Sequence, residues 1–137
     1  MREEQNNLKV NALLNIPYSS KEEFYERWVE FLRPFHGMSS VPCKVFATLL
    51  CAREQCAKSS NEDSVIDMLL FSDEVQQEVC KKLGIDRARM YCNLSILRKY
   101  GVMTENRINS KFIPDVKEEN GEYKVLIRFC YKNDNRI

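Results

Sequence analysis

The stretch Cys80–Met103, CKKLGIDRARMYCNLSILRKYGVM, has the pattern of two helices separated by a tight turn. Gly84 is the expected end of the first helix, because glycine adopts the left-handed conformation of a helix terminus without strain. Two residues later a second helix begins, and Gly101 ends it. Its inward positions recur at helical spacing and are apolar: Met90, Leu94 and Leu97. The stretch therefore predicts a helix-turn-helix within a helical domain.

Four cations lie on the second helix of this pair, although the whole chain is almost neutral. The formal net charge is +1, from 21 Lys and Arg against 20 Asp and Glu. An α-helix fits the major groove of duplex DNA, and its first turns reach base edges. We therefore predict major-groove contacts from Arg87, Arg89, Tyr91 and Asn93, and phosphate contacts from Arg98, Lys99, Arg107 and Lys111. The alternative is a solvated or protein-docking face, with the last two cations of the helix complementing its dipole.

Two further helices are predicted before this pair. The first, KEEFYERWVEFLR, follows Ser20, which has capping-box spacing to Glu23, and it ends before Pro34. Its aromatic stripe lies at i, i+4 and i+7: Phe24, Trp28 and Phe31. The second, SSVPCKVFATLLCAREQCAKSS, is expected to be central because its apolar face is wide: Val45, Phe46, Leu49, Leu50 and Cys56. VIDMLLF, which precedes the predicted N-cap Ser72, fits a strand or a helix.

The remainder of the chain predicts strands. MTENRINSKFIPDV and EYKVLIRFCY flank KEENGE, whose Asn120–Gly121 pair favours a two-residue hairpin turn. Residues 1–20 are interpreted as an N-terminal arm or short strand, 21–131 as one domain and 132–137 as a tail. The predicted class is α+β, mainly α, with an extra N-terminal helix and a C-terminal β-hairpin.

Composition and motifs argue against several classes of protein. No apolar run approaches the roughly 20 residues of a membrane span, and MREEQNNLKV is too acidic for a signal or transit peptide, so we expect a cytoplasmic protein. No two of the six cysteines have C-x-x-C spacing, and no cysteine lies at metal-ligand spacing from His36. This pattern predicts no metal site. Reduced cysteines in the core are expected instead, Cys80 and Cys92 among them. Since nucleotide and metalloprotease motifs are missing, we predict no enzyme activity, no catalytic residue and no cofactor.

EVCKKLGIDRARMYCNLSILRKYGVM, followed by the segment 107–129, resembles winged-helix DNA-binding domains of the broad MarR-like kind. FLRPFHGMS, LLFS and INSKFIP also resemble segments of small winged-helix proteins encoded by phages and mobile elements of Bacteroidales-type bacteria, in which the last typically reads I-N-P-K-F-I-P. The resemblance covers about Phe31 to Phe129. It implies a winged helix-turn-helix fold with the hairpin as its wing. It also implies sequence-specific binding of double-stranded DNA by a transcriptional regulator in the host cytoplasm.

One segment departs from the pattern of a DNA-binding wing. The hairpin tip DVKEENGE carries four acids against Lys117 alone: Asp115, Glu118, Glu119 and Glu122. Phosphates repel carboxylates, so this tip is not suited to the DNA backbone. The alternative function is a protein-binding adaptor that docks on polymerase, replication or virion components through its acidic wing.

The aromatic first helix leaves two interpretations open. It either packs as an extra helix over the domain, or it pairs two subunits, as the outer helices of MarR-like proteins do. Two-fold pairing would place two recognition helices about 34 Å apart on a pseudo-palindromic site.

Overall fold

The computed structural model describes residues 7–15, 20–119 and 122–132. The chain divides into two units, one from Tyr18–Ile113 and the other from Met1–Pro17 together with Pro114–Ile137. The division falls inside the segment 21–131, which the sequence pattern assigned to one domain. Its cause is the pairing of a strand near the start of the chain with a strand near its end.

The unit Tyr18–Ile113 is mostly helical. Its helices, in the described part of the chain, are α1 (Lys21–Phe31), α2 (Arg33–His36), α3 (Ser40–Cys56), α4 (Asp63–Leu70), α5 (Asp73–Leu83) and α6 (Arg87–Lys99). They are followed by β2 (Met103–Thr104), β3 (Arg107–Ile108) and a 3-10 helix (Ser110–Phe112). The predicted α+β, mainly α class is confirmed, and the ambiguous VIDMLLF segment lies in α4 except for Phe71, which is the C-cap. Within the described ranges, no helix is both long and apolar enough to span a membrane.

Helix α3 is the centre of this unit. It contacts α1, α4, α5 and α6, and its inward side chains are almost fully buried: Val45, Phe46, Leu49 and Leu50. Each such side chain stabilises the fold by roughly 1.5 to 3 kcal/mol when it leaves water. The expected central position of this helix is confirmed. Cys56, predicted on the same face, is only partly buried because it lies in the last turn.

Helix α1 packs most of its aromatic stripe into the core. Phe24 and Trp28 are buried, and Trp28 Nε1 donates a 2.9 Å hydrogen bond to the carbonyl of Phe112. Phe31, the third residue of the stripe, is exposed and stacks on the Trp28 ring. This packing agrees with an extra helix over the domain and leaves Phe31 on the surface.

His36 stabilises the turn between α1 and α3. The backbone N–H of Met38 donates to Nδ1 at 3.0 Å, which leaves Nε2 to donate to the Val29 carbonyl at 2.9 Å. Gly37 follows in the left-handed conformation, with φ 71°. Both nitrogens of this buried ring are therefore used by the fold, which is a structural role.

A buried ion pair joins α3 to α4. Arg53 Nε donates to Asp67 Oδ1 at 3.0 Å, and Arg53 Nη2 lies 3.3 Å from Asp63 Oδ1. The Arg53 and Asp67 side chains are 9% and 5% exposed, whereas that of Asp63 is 74% exposed. No local pattern in the sequence predicts this pair, because isolated charges on amphipathic helices are usually solvated.

The second unit contains a three-stranded antiparallel sheet. Its strands are β1 (Asn7–Asn15), β4 (Val116–Glu119) and β5 (Glu122–Lys132), in the order β1-β5-β4. β1 pairs with β5 over all nine of its residues, so residues 7–15 of the segment interpreted as an arm or short strand form a strand. Glu119 pairs with Glu122, so β4 and β5 pair on either side of the predicted turn. β4 consists of the last residue of the predicted first strand and the first three residues of KEENGE. The predicted turn residues, Asn120 and Gly121, lie outside the described residues.

The segment MTENRINSKFIPDV does not form one strand, contrary to the prediction. β2 and β3 have two residues each and are joined by a turn in which Glu105 has φ 54°. The 3-10 helix follows, and the buried ring of Phe112 packs edge-to-face on Phe46, with 6.4 Å between centroids. This turn and the packing of Phe112 interrupt strand pairing before β4 begins.

Most of the described cysteines are interior. Cys43, Cys51 and Cys80 are buried, Cys56 is partly buried, and all are free thiols. Burial raises the pKa of the Cys43, Cys51 and Cys56 thiols above the usual value. Cys92 is exposed. The expectation that it packs in the core is therefore wrong, because its position on α6 lies away from the inward face.

Candidate nucleic-acid interface

Residues 84–86 join α5 to α6. The Ser72 hydroxyl caps α5 by accepting a hydrogen bond from the N–H of Val75 at 3.4 Å, and Gly84 ends the helix with φ 70°. Asp86 caps α6, and its carboxylate accepts from the N–H of Arg89 at 2.8 Å. Local contacts therefore set the ends of both helices, as predicted for Ser72 and Gly84.

Helix α6 has an inward face and a broad exposed face. The inward side chains are buried: Met90, Asn93, Leu94 and Leu97. The opposite positions, at i, i+4, i+7 and i+11, are exposed: Ala88, Cys92, Ser95 and Lys99. The first three of these side chains are small. The backbone of α6 can therefore come close to a molecule that lies against this face.

The exposed side of α6 is cationic. The helix carries four cations, Arg87, Arg89, Arg98 and Lys99, and no Asp or Glu. Every other described helix of eight or more residues contains at least one carboxylate. Positive charge is thus concentrated on α6, although the chain has a net charge of only +1.

Arg87 is held by two neighbours. Its Nη2 donates to the Tyr91 hydroxyl at 3.2 Å and lies 3.5 Å from Asp73 Oδ1. Its guanidinium carbon is 5.5 Å from the centroid of the Tyr91 ring, and the hydrogen bond to Tyr91 raises the pKa of Arg87. Nε is shielded from solvent and has no hydrogen-bond partner in the described structure. The predicted groove contact therefore requires Arg87 to leave Asp73.

Arg89 and Tyr91 lie on opposite edges of the exposed face. Arg89 is exposed, and its side chain forms no ion pair with any described residue. Tyr91 is 58% exposed, although its hydroxyl accepts the hydrogen bond from Arg87. Both side chains can extend from α6 toward a ligand, as their predicted roles require.

Asn93 occupies a position that conflicts with its predicted role. It is 6% exposed, and its Nδ2 donates to the Arg89 carbonyl at 3.0 Å. The helical spacing explains this placement, because Asn93 lies three residues after Met90 and four before Leu97. A side chain on the inward face does not reach base edges, so Asn93 is not among the residues that we propose to bind DNA.

The two cations at the end of α6 have different surroundings. Arg98 Nε donates to the Glu105 carbonyl and Nη2 donates to Asn106 Oδ1, both at 3.0 Å. These bonds connect α6 to the turn between β2 and β3, which is a structural role for Arg98. Lys99 is exposed and has no ion pair within the described ranges. It is therefore open to a phosphate.

The remaining predicted phosphate ligands lie beyond α6. Arg107 is exposed and directly follows the turn that Arg98 contacts. Lys111 Nζ lies 5.4 Å from the centroid of the Phe112 ring, which in turn packs on Phe46 of α3. The structure therefore places Arg107 on β3 beside α4, where it lines a groove with Met68 and Phe71. Lys111 has a different neighbour.

Ser95 is a candidate residue that the reasoning from cations and amides missed. It is exposed in the middle of α6, and its hydroxyl can both donate and accept hydrogen bonds. The helical spacing could have identified it, because Ser95 lies four residues after Tyr91 and four before Lys99, on the same side of the helix. The exposed face thus carries a small polar group between its cations.

No protein-family model, curated protein or solved structure matches the chain. The geometry of α6 and its neighbours is therefore the basis for a functional hypothesis.

Proposed function

We propose that the protein binds double-stranded DNA with α6 in the major groove, as a winged helix-turn-helix regulator. The supporting observation is the exposed face of α6, which combines small residues along its middle, cations toward its ends and no carboxylate. A helix about 10–12 Å across matches a groove about 12 Å wide. Small side chains in the middle of the face let the helix lie deep in this groove.

The exposed residues then have distinct roles. Arg89 and Tyr91 extend from the first turns of α6 to base edges or phosphates. Ser95 forms a hydrogen bond in the middle of the groove, and Lys99 binds a phosphate at the far end. Arg107 adds a phosphate contact beside the β2–β3 turn.

Binding by these groups depends on salt. Phosphate contacts from Arg89, Lys99 and Arg107 contribute about −3 to the slope of log K against log salt concentration. The carboxylates that the sequence places at the β4–β5 hairpin repel phosphate and add nothing to this term. The affinity is therefore carried by α6 and the turn that follows it.

The test is fluorescence anisotropy of the purified chain with random duplexes of about 30 base pairs, roughly three helical turns. The titration is repeated over a salt series, and the bound duplexes are sequenced. An enriched motif supports sequence-specific binding, and a two-fold symmetric motif also supports pairing of two chains.

A matched pair of variants locates the interface. Arg89→Ala with Lys99→Ala removes two cations from α6. Lys44→Ala with Lys58→Ala removes the same charge from exposed positions elsewhere. The α6 variant should lose roughly tenfold or more in affinity and about 2 units of the salt slope, and the control should retain both. Unchanged affinity in a folded α6 variant, or equal losses in both, would overturn the assignment.

A protein-binding function is the second candidate, favoured by the contacts of Arg87 and Arg98. Both cations already have partners in the free protein. Tyr91 and Tyr100 are also exposed on the same helix and its C-cap, and tyrosine is enriched in protein interfaces. On this hypothesis α6 docks on a protein such as a polymerase, replication or virion component. Absence of duplex binding at low salt would favour it.

A further inference from the structure

Asp73, the first residue of α5, lies beside Arg87, the first residue of α6. The Asp73 side chain is 91% exposed, and its Oδ1 is 3.5 Å from Arg87 Nη2. The same nitrogen donates to the Tyr91 hydroxyl at 3.2 Å. An exposed carboxylate therefore lies beside the guanidinium of Arg87, at the start of the candidate interface helix.

This ion pair contributes little to the fold. A pair of exposed charges adds little stability, because water screens the attraction and both side chains lose conformational freedom. The arrangement also leaves Arg87 incompletely satisfied, since its Nε is shielded from solvent and lacks an acceptor among the described groups. A guanidinium in this state gains hydrogen bonds when it turns toward an anion with two available oxygens.

We propose that Asp73 is a counter-anion that holds Arg87 in the free protein and that a DNA phosphate displaces. This inference rests on the proposed function and adds a specificity device to the same site. A phosphate offers two oxygens to the Arg87 fork, whereas Asp73 contacts Nη2 through one oxygen.

Competition between the two anions favours selective binding. Phosphate and carboxylate repel each other, so Asp73 weakens the binding of every duplex. A duplex that makes further contacts along α6 offsets this penalty, whereas a duplex held by phosphate contacts alone does not. Since the penalty is common to all duplexes, weakly held duplexes stay unbound at protein concentrations at which a duplex with further contacts along α6 is occupied.

A double-mutant cycle with a charge-matched control tests the inference. Asp73→Asn removes the charge and keeps the size of the side chain. Glu74→Gln removes an exposed carboxylate from the next position in the same helical turn. Each substitution is made in the wild-type chain and in Arg87→Ala, and Kd for random duplex DNA is measured by anisotropy. We expect Asp73→Asn to raise affinity about fivefold more than Glu74→Gln, and this excess to vanish without Arg87.

The outcomes separate this inference from the proposed function. If neither the wild type nor Asp73→Asn binds duplex DNA at low salt, the proposed function is wrong and the inference falls with it. If the wild type binds and Asp73→Asn behaves like Glu74→Gln, or its excess persists without Arg87, the inference is wrong and the DNA-binding function stands. Thermal unfolding checks each variant, and Asp73→Ser replaces Asp73→Asn in the cycle should the latter not fold.

Discussion

Removal of the Asp67 carboxylate should strongly destabilise the protein, because it leaves the Arg53 guanidinium buried without its main partner. Asp67 Oδ1 accepts from Arg53 Nε at 3.0 Å, and the two side chains are 5% and 9% exposed. Removing one member of a buried pair typically lowers the free energy of unfolding by about 3–5 kcal/mol. Asp63 stays 3.3 Å from the guanidinium and offsets part of this loss. We therefore expect about 3 kcal/mol for Asp67→Ala, at the low end of that range.

Two variants separate the buried charge from other effects. Asp63→Ala removes the largely exposed partner and should change the free energy of unfolding by about 0–1 kcal/mol. Arg53→Met combined with Asp67→Leu removes both buried charges and keeps similar volumes. This double variant should recover most of the stability that Asp67→Ala loses, because no unpaired charge is then buried.

Urea unfolding followed by circular dichroism, under reducing conditions, measures these differences. With a slope of about 1–3 kcal/mol per M, a loss of about 3 kcal/mol lowers the midpoint by roughly 1 to 3 M. Equal midpoints for Asp67→Ala and Asp63→Ala would refute the reasoning. So would a double variant that is no more stable than Asp67→Ala.

Two further predictions concern α6. Arg98→Ala removes two hydrogen bonds to the β2–β3 turn and should lower the free energy of unfolding by about 1–2 kcal/mol. Lys99→Ala removes no such contact and should change it by less than about 0.5 kcal/mol, which urea unfolding of both variants checks. Cys92 should react with a thiol reagent near neutral pH before Cys51, because Cys92 is exposed whereas burial raises the pKa of Cys51. A raised pKa means less thiolate at a given pH, so labelling of Cys51 should increase only as the pH rises, as mass spectrometry of a pH series would report.

Opposite results would contradict particular contacts. Equal stabilities of the two α6 variants would show that Arg98 does not stabilise the turn. Earlier labelling of Cys51 than of Cys92 in the native protein would contradict the burial of one thiol and the exposure of the other.

The helix ends could be predicted because their contacts are local. The hydroxyls of Ser20 and Ser72 accept from the N–H groups of Glu23 and Val75, three residues further on. Gly84 ends α5 in the left-handed conformation that its residue type favours. Both partners of each contact lie in one short segment, so a local pattern contains the whole interaction.

The candidate site was predicted in part. Arg89 and Tyr91 are exposed on α6, as their predicted roles require, whereas Asn93 is buried and Cys92 is exposed. Residue type favoured the opposite placement of these last two, because amides are mostly exposed and cysteines mostly buried. The spacing from Met90 predicts the observed placement, with Asn93 inward and Cys92 outward, because helical periodicity decides which side chains point inward.

Local sequence patterns were sufficient for four of the described helices and for the α+β class, whereas they left α4 ambiguous and did not predict α2. Packing over long distances alone established three features: the pairing of β1 with β5, the Arg53–Asp67 ion pair and the Asp73–Arg87 contact. A helix satisfies its backbone hydrogen bonds within four residues. A strand needs a partner from elsewhere in the chain, and a charged side chain pairs with whichever residue packing brings near. These partners therefore follow from the folded chain and not from any short segment of it.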